Sequence, residues 1–240
     1  MTLVWRPDYN GTPGKVTLKK ESVAADPYYN NVSLLLHGDG ANGSTTIVDS
    51  STSPKTVTAV GNAQISTAQS KFGGASLAFD GAGDYLTIPD DSSFDFGFND
   101  FTIEGWIYTQ KADEYCVCAQ SSIGGFMLVA YSGGFRFRRF GVADVVVASS
   151  LPETNTWIHV AACRSGTSTR LFFNGVQTGT TATDTANYTI AANILVGVDQ
   201  PVVASVYFQG YIDDLRITKG VARYSSNFTP PTAPFPEVLG

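Results

Sequence analysis

The sequence predicts an all-β protein in which two antiparallel sheets pack face to face, as in a sandwich or jelly roll. Three observations support this prediction. Apolar segments of strand length recur about a dozen times along the 240 residues, and turn-forming residues separate them. Asp outnumbers Glu by 16 to 5, which favours turns over helix interiors. No segment shows a convincing helical period.

The predicted strands follow one another through the middle of the chain. They lie at 32–37, 55–60, 75–80, 84–89, 101–109, 115–120, 125–131, 135–140, 144–149, 157–164, 170–179, 193–198 and 206–218. Segment 101–109 alternates strictly, so that Ile103 and Ile107 share one face and Glu104, Trp106 and Tyr108 share the other. One face of this strand therefore belongs to a core.

Two further features concern how the strands connect. Asn174-Gly175 stands between apolar segments, which predicts a hairpin with a type I′ turn. The first strand, 32–37, and the last, 206–218, are expected to be neighbours, because many jelly rolls pair their terminal strands.

The two ends of the chain differ from its middle. Residues 1–31 predict an extended arm, with a disordered leader or an additional strand as the alternatives. Residues 32–228 form the predicted jelly roll. Residues 229–240 predict an extended tail, because segment 228–236 holds four Pro in nine residues.

The charge pattern argues against some partners. The net charge is −6, and the largest basic cluster is Arg136, Arg138 and Arg139, so duplex nucleic acid is not an expected partner. No apolar stretch has the ~20 residues of a membrane span. The N-terminus lacks the pattern of a secretory signal.

The three cysteines do not form a disulfide framework. Cys116 and Cys118 lie two apart on a predicted strand and are expected to share a face, and either meets Cys163 if their strands are neighbours. Reduced core thiols are the first interpretation, and an intersubunit disulfide is the alternative.

Six motifs in order resemble those of laminin-G-like, concanavalin-A-like lectin/glucanase modules. They occupy 34–51, 73–95, 101–108, 156–164, 169–176 and 210–228. The resemblance implies a two-sheet antiparallel jelly roll with one concave sheet. The last motif and the tail also resemble laminin-G-like proteins of tailed phages. This implies a homo-oligomeric virion protein, assembled in the host cytoplasm, that serves as a tail appendage, fibre or head decoration and docks through its arm or tail.

Exposed aromatic and cationic side chains are the candidates for glycan binding. Trp106, Tyr108 and Tyr131 are the aromatic candidates, although strand aromatics in a sandwich are usually buried. Arg136 and Arg138 share a strand face and are candidates for binding an acidic glycan or a neighbouring subunit. The alternative is an ordinary cationic outer face.

Calcium is the predicted ion, because Asp-bearing turns supply the oxygen ligands that hard cations prefer. By resemblance to family members that bind calcium between the first and last strands, Asp39 and Asp213 or Asp214 are the candidate ligands of one structural calcium ion, with Asp49 as a further candidate. The alternative is that such Asp residues only form turns.

The sequence does not predict an enzyme. Glycoside hydrolysis needs paired carboxylates, and the strand that best matches the hydrolase pattern offers Glu104 alone. Glu104 is expected to pair with a cation or face solvent. Three functions remain in order of preference: a virion structural protein that displays a lectin-like domain and adheres to host glycan, a stand-alone carbohydrate-binding module, and a glycan hydrolase or lyase.

Overall fold

The computed structural model describes residues 25–200 and 206–239, and β-strands dominate them. The strands are β1 (Val32–Leu36), β2 (Thr58–Val60), β3 (Gln64–Ser66), β4 (Ser76–Asp80), β5 (Tyr85–Ile88), β6 (Phe101–Thr109), β7 (Tyr115–Gln120), β8 (Phe126–Tyr131), β9 (Gly134–Arg139), β10 (Ala143–Val147), β11 (Ile158–Ser165), β12 (Ser168–Phe173), β13 (Val176–Thr183), β14 (Ile194–Val196) and β15 (Gln209–Lys219). The helices of the described residues are two 3₁₀ turns, Tyr29–Asn31 and Ser92–Phe94. In this part of the chain no helix has the length and apolar character needed to span a membrane.

The strands form two antiparallel sheets, which confirms the predicted fold class. Sheet I has the order β13-β12-β11-β6-β15-β4-β3, with β1 also paired to β15. Sheet II has the order β10-β9-β8-β7-β14-β5-β2. The predicted pairing of the first strand with the last is confirmed, since Leu35 of β1 lies opposite Arg216 of β15.

The core lies between the two sheets and follows the alternation read from the sequence. Ile103 and Ile107 of β6 and Phe135 and Phe137 of β9 are completely buried in it. The intervening side chains therefore lie on the outer faces of the two sheets. Glu104, Trp106 and Tyr108 belong to the outer face of sheet I, and Arg136 and Arg138 to that of sheet II.

The predicted hairpin turn is confirmed, and one strand was missed. Asn174 and Gly175 have φ values of 46° and 76°, as the two central residues of a type I′ turn require. Strand β3 pairs with β4 but was not predicted, because its three residues include only one apolar side chain, Ile65.

The prediction that Cys116 and Cys118 share a face is wrong. The register between β7 and β8 shifts between these two residues, so a bulge inserts one residue and turns the strand. Cys118 lies in the core between the sheets, whereas Cys116 packs outside it with Met127 and Val129. Cys163 lies on β11 in the other sheet.

All three cysteines are free and buried, Cys118 in the core and Cys116 and Cys163 in smaller apolar clusters outside it. Burial raises the pKa of each thiol, that of Cys118 to about 12. An intersubunit disulfide would need an exposed sulfur, and none of the three is exposed.

The described part of the predicted tail packs against the outer face of sheet I. Phe235 is 3% exposed and contacts Val32 and Leu35 of β1. Its backbone N–H donates to Asp214 Oδ2 at 2.8 Å. Upstream of the tail, Tyr224 and Phe228 stack with their ring centroids 3.5 Å apart and cover β11 and β12.

The predicted arm, 1–31, is described from residue 25 onward, and residues 1–24 lie outside the described residues. Asp26 donates its backbone N–H to Val238 O at 2.8 Å, and its carboxylate contacts Arg216 and Arg223. Residues 25–31 thus contact both the tail and sheet I.

Candidate functional site

Three aromatic side chains form a row across adjacent strands on the outer face of sheet I. Tyr108 of β6 lies directly opposite Tyr211 of β15, and Trp157 immediately precedes β11, the strand on the other side of β6. The ring centroid of Tyr108 is 5.6 Å from that of Trp157 and 5.9 Å from that of Tyr211. These are the separations of interacting aromatic pairs. All three side chains are half-buried, so each keeps part of its surface exposed to solvent.

Polar side chains flank this aromatic row. Tyr211 pairs with Ala78, and Ala78 pairs with Gln64 of β3, so Gln64 extends the same line toward the sheet edge. Lys71 is half-buried beside β6. Flat aromatic faces next to hydrogen-bonding groups suit ligands with both apolar faces and hydroxyl groups, such as sugars.

Trp106, predicted as a ligand-binding residue, does not offer an open face. It is 5% exposed because segment 67–74 folds over it. Lys71 Nζ lies 3.8 Å from the centroid of its ring, and the Phe72 ring packs edge-on at 5.9 Å. The backbone N–H groups of Lys71 and Phe72 donate to Asp213 Oδ2 at 2.7 and 3.1 Å, which fixes the segment in place. Trp106 therefore lies covered, two residues from Tyr108 on the same face of β6.

The other three predicted ligand residues lie on the opposite side of the sandwich. Tyr131 is 44% exposed, and the guanidinium carbon of Arg136 is 5.9 Å from the centroid of its ring. Arg136 and Arg138 both contact Asp144, at 3.0 and 3.3 Å, so one carboxylate offsets part of their charge. The five predicted residues therefore form two separate groups, one on each outer face.

Glu104 is completely buried within an ion-pair network on the outer face of sheet I. Its Oε1 accepts from Arg216 Nε and Nη2 at 3.0 and 2.7 Å, and its Oε2 accepts from Tyr224 Oη at 2.7 Å. Burial alone would raise the pKa of Glu104, but Arg216, His159 and Arg223 hold it below its ordinary value. The expectation of a cation partner is confirmed, and the carboxylate lies out of reach of a substrate.

The four predicted calcium ligands do not form one site. Asp49 accepts four hydrogen bonds, including those from the backbone N–H groups of Leu35 and Lys55. Asp214 uses one oxygen for His37 and the other for Phe235 N. Among the described residues, no three His, Cys, Asp or Glu side chains converge in a way that would hold a metal ion. A structural calcium ion stays a prediction from the sequence.

Asp213 is expected to make the stability of the folded protein depend on pH near neutrality. Burial, reinforced by Asp214 and Asp39, raises its pKa to about 7 against the opposing hydrogen bonds from Phe72 and Lys71. At mildly acid pH the folded state keeps a proton on Asp213 that the unfolded state has released. Proton binding by Asp213 therefore stabilises the folded state at acid pH, and this contribution is lost as the pH rises through 7. A pKa of 7 predicts that unfolding becomes easier by about 1.4 kcal/mol between pH 6 and pH 8.

Urea unfolding at pH 6 and pH 8 measures this effect. Asp213→Asn should reduce the difference between the two pH values by that amount. Because Asp214 and Glu237 outweigh the effect of burial and raise the pKa of His37, His37 shifts stability in the same direction in both proteins. Identical pH dependence of wild type and Asp213→Asn would show that Asp213 does not titrate in this range.

This two-sheet architecture, with a half-exposed aromatic row on one outer face, defines a lectin-like jelly-roll domain. Residues 80–223 match the family model of the Concanavalin A-like lectin/glucanases superfamily, and the chain belongs to this superfamily. No curated protein matches the sequence.

Solved structures with the same fold have low sequence identity to the chain. The fourth domain of an extracellular arabinanase from Geobacillus stearothermophilus, in complex with arabinotriose, is 17% identical with a TM-score of 0.62 over 80% of this chain and 94% of that domain. The binding domain of Paraclostridial Mosquitocidal Protein 1 is 15% identical with a TM-score of 0.61 over 81% and 50% of the two chains.

A third structure belongs to botulinum neurotoxin type C, whose uptake by cells is described as dependent on two ganglioside molecules. It is 15% identical with a TM-score of 0.57, and the match covers 81% of this chain and 49% of the toxin chain. The chain thus spans about half the length of both toxin chains. At these identities the similarity establishes the fold.

The aromatic row includes two residues that the sequence analysis missed. Trp157 and Tyr211 were both placed in predicted strands, but neither was singled out. The available signal was that each precedes a core residue, Ile158 or Ile212, and so points to the outer face of the sheet. Only the strand order brings them beside Tyr108.

Proposed function

We propose that the protein is a non-catalytic carbohydrate-binding domain in which the aromatic row is the platform for the sugar. The single observation that carries this proposal is the alignment of three half-exposed aromatic rings, Tyr108, Trp157 and Tyr211, across neighbouring strands. Sugar rings stack their apolar C–H faces on such surfaces while their hydroxyl groups bond to flanking polar side chains. The arabinanase domain in complex with arabinotriose supports this class of ligand for the fold.

A catalytic role is not part of the proposal. Hydrolysis of a glycosidic bond requires two carboxyl groups that reach the sugar from opposite sides. Glu104, the acid on the strand with the best match to hydrolases, is 0% exposed and bonded to Arg216 and Tyr224. This burial favours binding over hydrolysis.

The virion role stays a prediction from sequence resemblance, together with homo-oligomerisation and adhesion to host glycan. The packing of residues 229–239 against sheet I bears on which segment would dock to another virion protein. Phe235 and Val238 already contact their own domain, so the tail is a poorer candidate for docking to another virion protein. Within this proposal, residues 1–24 become the preferred docking segment.

A glycan array screened with the purified full chain, in calcium and again in EDTA, tests the proposal. We expect binding to a defined class of saccharide, with arabinan fragments and ganglioside oligosaccharides included among the probes. Binding in calcium that is lost in EDTA would support the calcium prediction as well. A folded protein that binds no saccharide in either condition would contradict the proposed function.

Removing two rings of the aromatic row should weaken this binding. For Tyr108→Ala combined with Trp157→Ala we expect at least a tenfold increase in Kd, about 1.4 kcal/mol, by calorimetry with the best saccharide from the array. Tyr131→Ala is the matched control, because it removes an exposed aromatic ring from the opposite outer face. Equal affinities of the double variant and the control would place the binding site elsewhere.

A further inference from the structure

A cleft of about 420 Å³ lies at a different edge of the molecule from the aromatic row. The start of β1, the segment after Asp49, the 3₁₀ turn at Ser92–Phe94 and the end of β15 form its walls. Its volume falls within the ~300–1,000 Å³ range of small-ligand sites. The hydroxyl and amide side chains that line it are those of Asn30, Asn31, Ser33, Thr52, Ser53, Ser92 and Ser93, and the Ser33 hydroxyl donates to Ser93 O.

Two lysines line this cleft, and each ammonium group donates a hydrogen bond to a backbone carbonyl. Lys55 Nζ donates to Ser53 O at 2.8 Å and lies 5.5 Å from the centroid of the Phe94 ring. Lys219 Nζ donates to Ser92 O at 2.7 Å. Each ammonium group has three N–H donors and uses one of them in these bonds. The cleft therefore presents positioned cationic donors at limited further cost in side-chain entropy.

The charge of these lysines is less offset than that of the arginines on sheet II. Arg136 and Arg138 share the carboxylate of Asp144, whereas neither lysine forms an ion pair with a described residue. Asp91 is the N-cap of the 3₁₀ turn that contributes Ser92 and Ser93 to the cleft. Hydrogen bonds from Ser93 lower the pKa of Asp91, and the charges of Lys55 and Lys219 lower it further.

We propose that this cleft binds the carboxylate or sulfate group of an acidic saccharide, with Lys55 and Lys219 as the charged donors. Ammonium groups form short, charge-assisted hydrogen bonds with such anions. The surrounding serine, threonine and asparagine side chains match the hydroxyl groups of a sugar ring. Asp49 faces inward and uses its oxygens for backbone N–H groups and Ser51. Asp91, next to Ser92 in the chain, is a carboxylate whose charge opposes the ligand.

Titration of the ¹⁵N-labelled full chain with trigalacturonate tests this proposal by NMR. We expect shifts in the amide signals of Asn31, Ser53, Ser92 and Lys219, and weaker binding as the salt concentration rises. The neutral galactose trisaccharide should leave these signals in place. Absence of shifts at the cleft, or equal shifts with the neutral sugar, would overturn the proposal.

Variants distinguish the contribution of these two lysines from that of the overall charge of the protein. Lys55→Gln combined with Lys219→Gln should raise the Kd for trigalacturonate at least tenfold, whereas Lys111→Gln, outside the cleft, should change it less than twofold. Asp91→Asn should tighten binding about two- to threefold, because it removes the opposing charge. An equal loss in Lys111→Gln, or no gain in Asp91→Asn, would contradict the assignment.

This inference does not depend on the aromatic row. The Tyr108→Ala and Trp157→Ala double variant should bind trigalacturonate with unchanged affinity. If the double variant loses this binding, the acidic saccharide occupies the aromatic row and the cleft proposal is wrong.

Discussion

Replacing Glu104 with alanine is expected to lower the free energy of unfolding by about 3–5 kcal/mol. The substitution removes the carboxylate that accepts hydrogen bonds from Arg216 and Tyr224 and leaves the buried guanidinium groups of Arg216 and Arg223 with Asp26 as their anionic partner. A buried charge that loses its partner keeps the cost of its own desolvation. Urea unfolding monitored by tryptophan fluorescence measures the loss, and the melting temperature should fall by roughly 10 °C.

Two further variants show that this loss depends on the buried charge. Glu104→Gln keeps the shape and part of the hydrogen bonding, so we expect a smaller loss than for alanine. Glu153→Ala removes an exposed carboxylate and should stay within about 0.5 kcal/mol of wild type. A loss below about 1 kcal/mol for Glu104→Ala would mean that the network is solvated in solution.

Replacing Phe235 with alanine is expected to cost about 3 kcal/mol, the lower end of the range for a buried phenylalanine. The ring is 3% exposed, packs on Val32 and Leu35, and lies 3.6 Å from the guanidinium carbon of Arg216. Its removal leaves a cavity over sheet I and weakens the attachment of the tail. Urea unfolding and the rate of amide hydrogen exchange in residues 229–239 measure the two effects.

Val238→Ala is the matched control, since Val238 belongs to the same tail but is 39% exposed. We expect it to cost less than about 1 kcal/mol. If both substitutions have the same small effect, the tail is not docked in solution, and it would regain its place as a candidate docking segment for a partner.

The fold was predictable because its alternation is strong. In β6, every second side chain from Phe101 to Ile107, except Gly105, is a large apolar residue of the core. Long strands of this kind give a clear signal over many residues. Strand β3 has three residues, and the bulge at Cys116–Cys118 depends on how β7 pairs with β8, so neither has a signal in local sequence.

The site was only partly predictable, because exposure depends on what covers a strand. Trp106 and Tyr108 share one strand face, yet segment 67–74 buries the first and leaves the second accessible. Trp157 and Tyr211 join Tyr108 only through the order of strands in sheet I. The cleft lined by Lys55 and Lys219 combines residues that lie 164 positions apart, so no local sequence motif predicts it.

The contact between the two ends of the described chain has a topological consequence. Asp26 and Leu239 form a parallel bridge, which places their backbones about 5 Å apart. The chain from 25 to 239 is therefore close to a closed ring. A linker of a few residues would join these ends, and new termini at the exposed turn Ser132–Gly133 would leave all fifteen strands uninterrupted. The same closeness means that the chain enters the domain at residue 25 and leaves it at residue 239 from one corner of the outer face of sheet I.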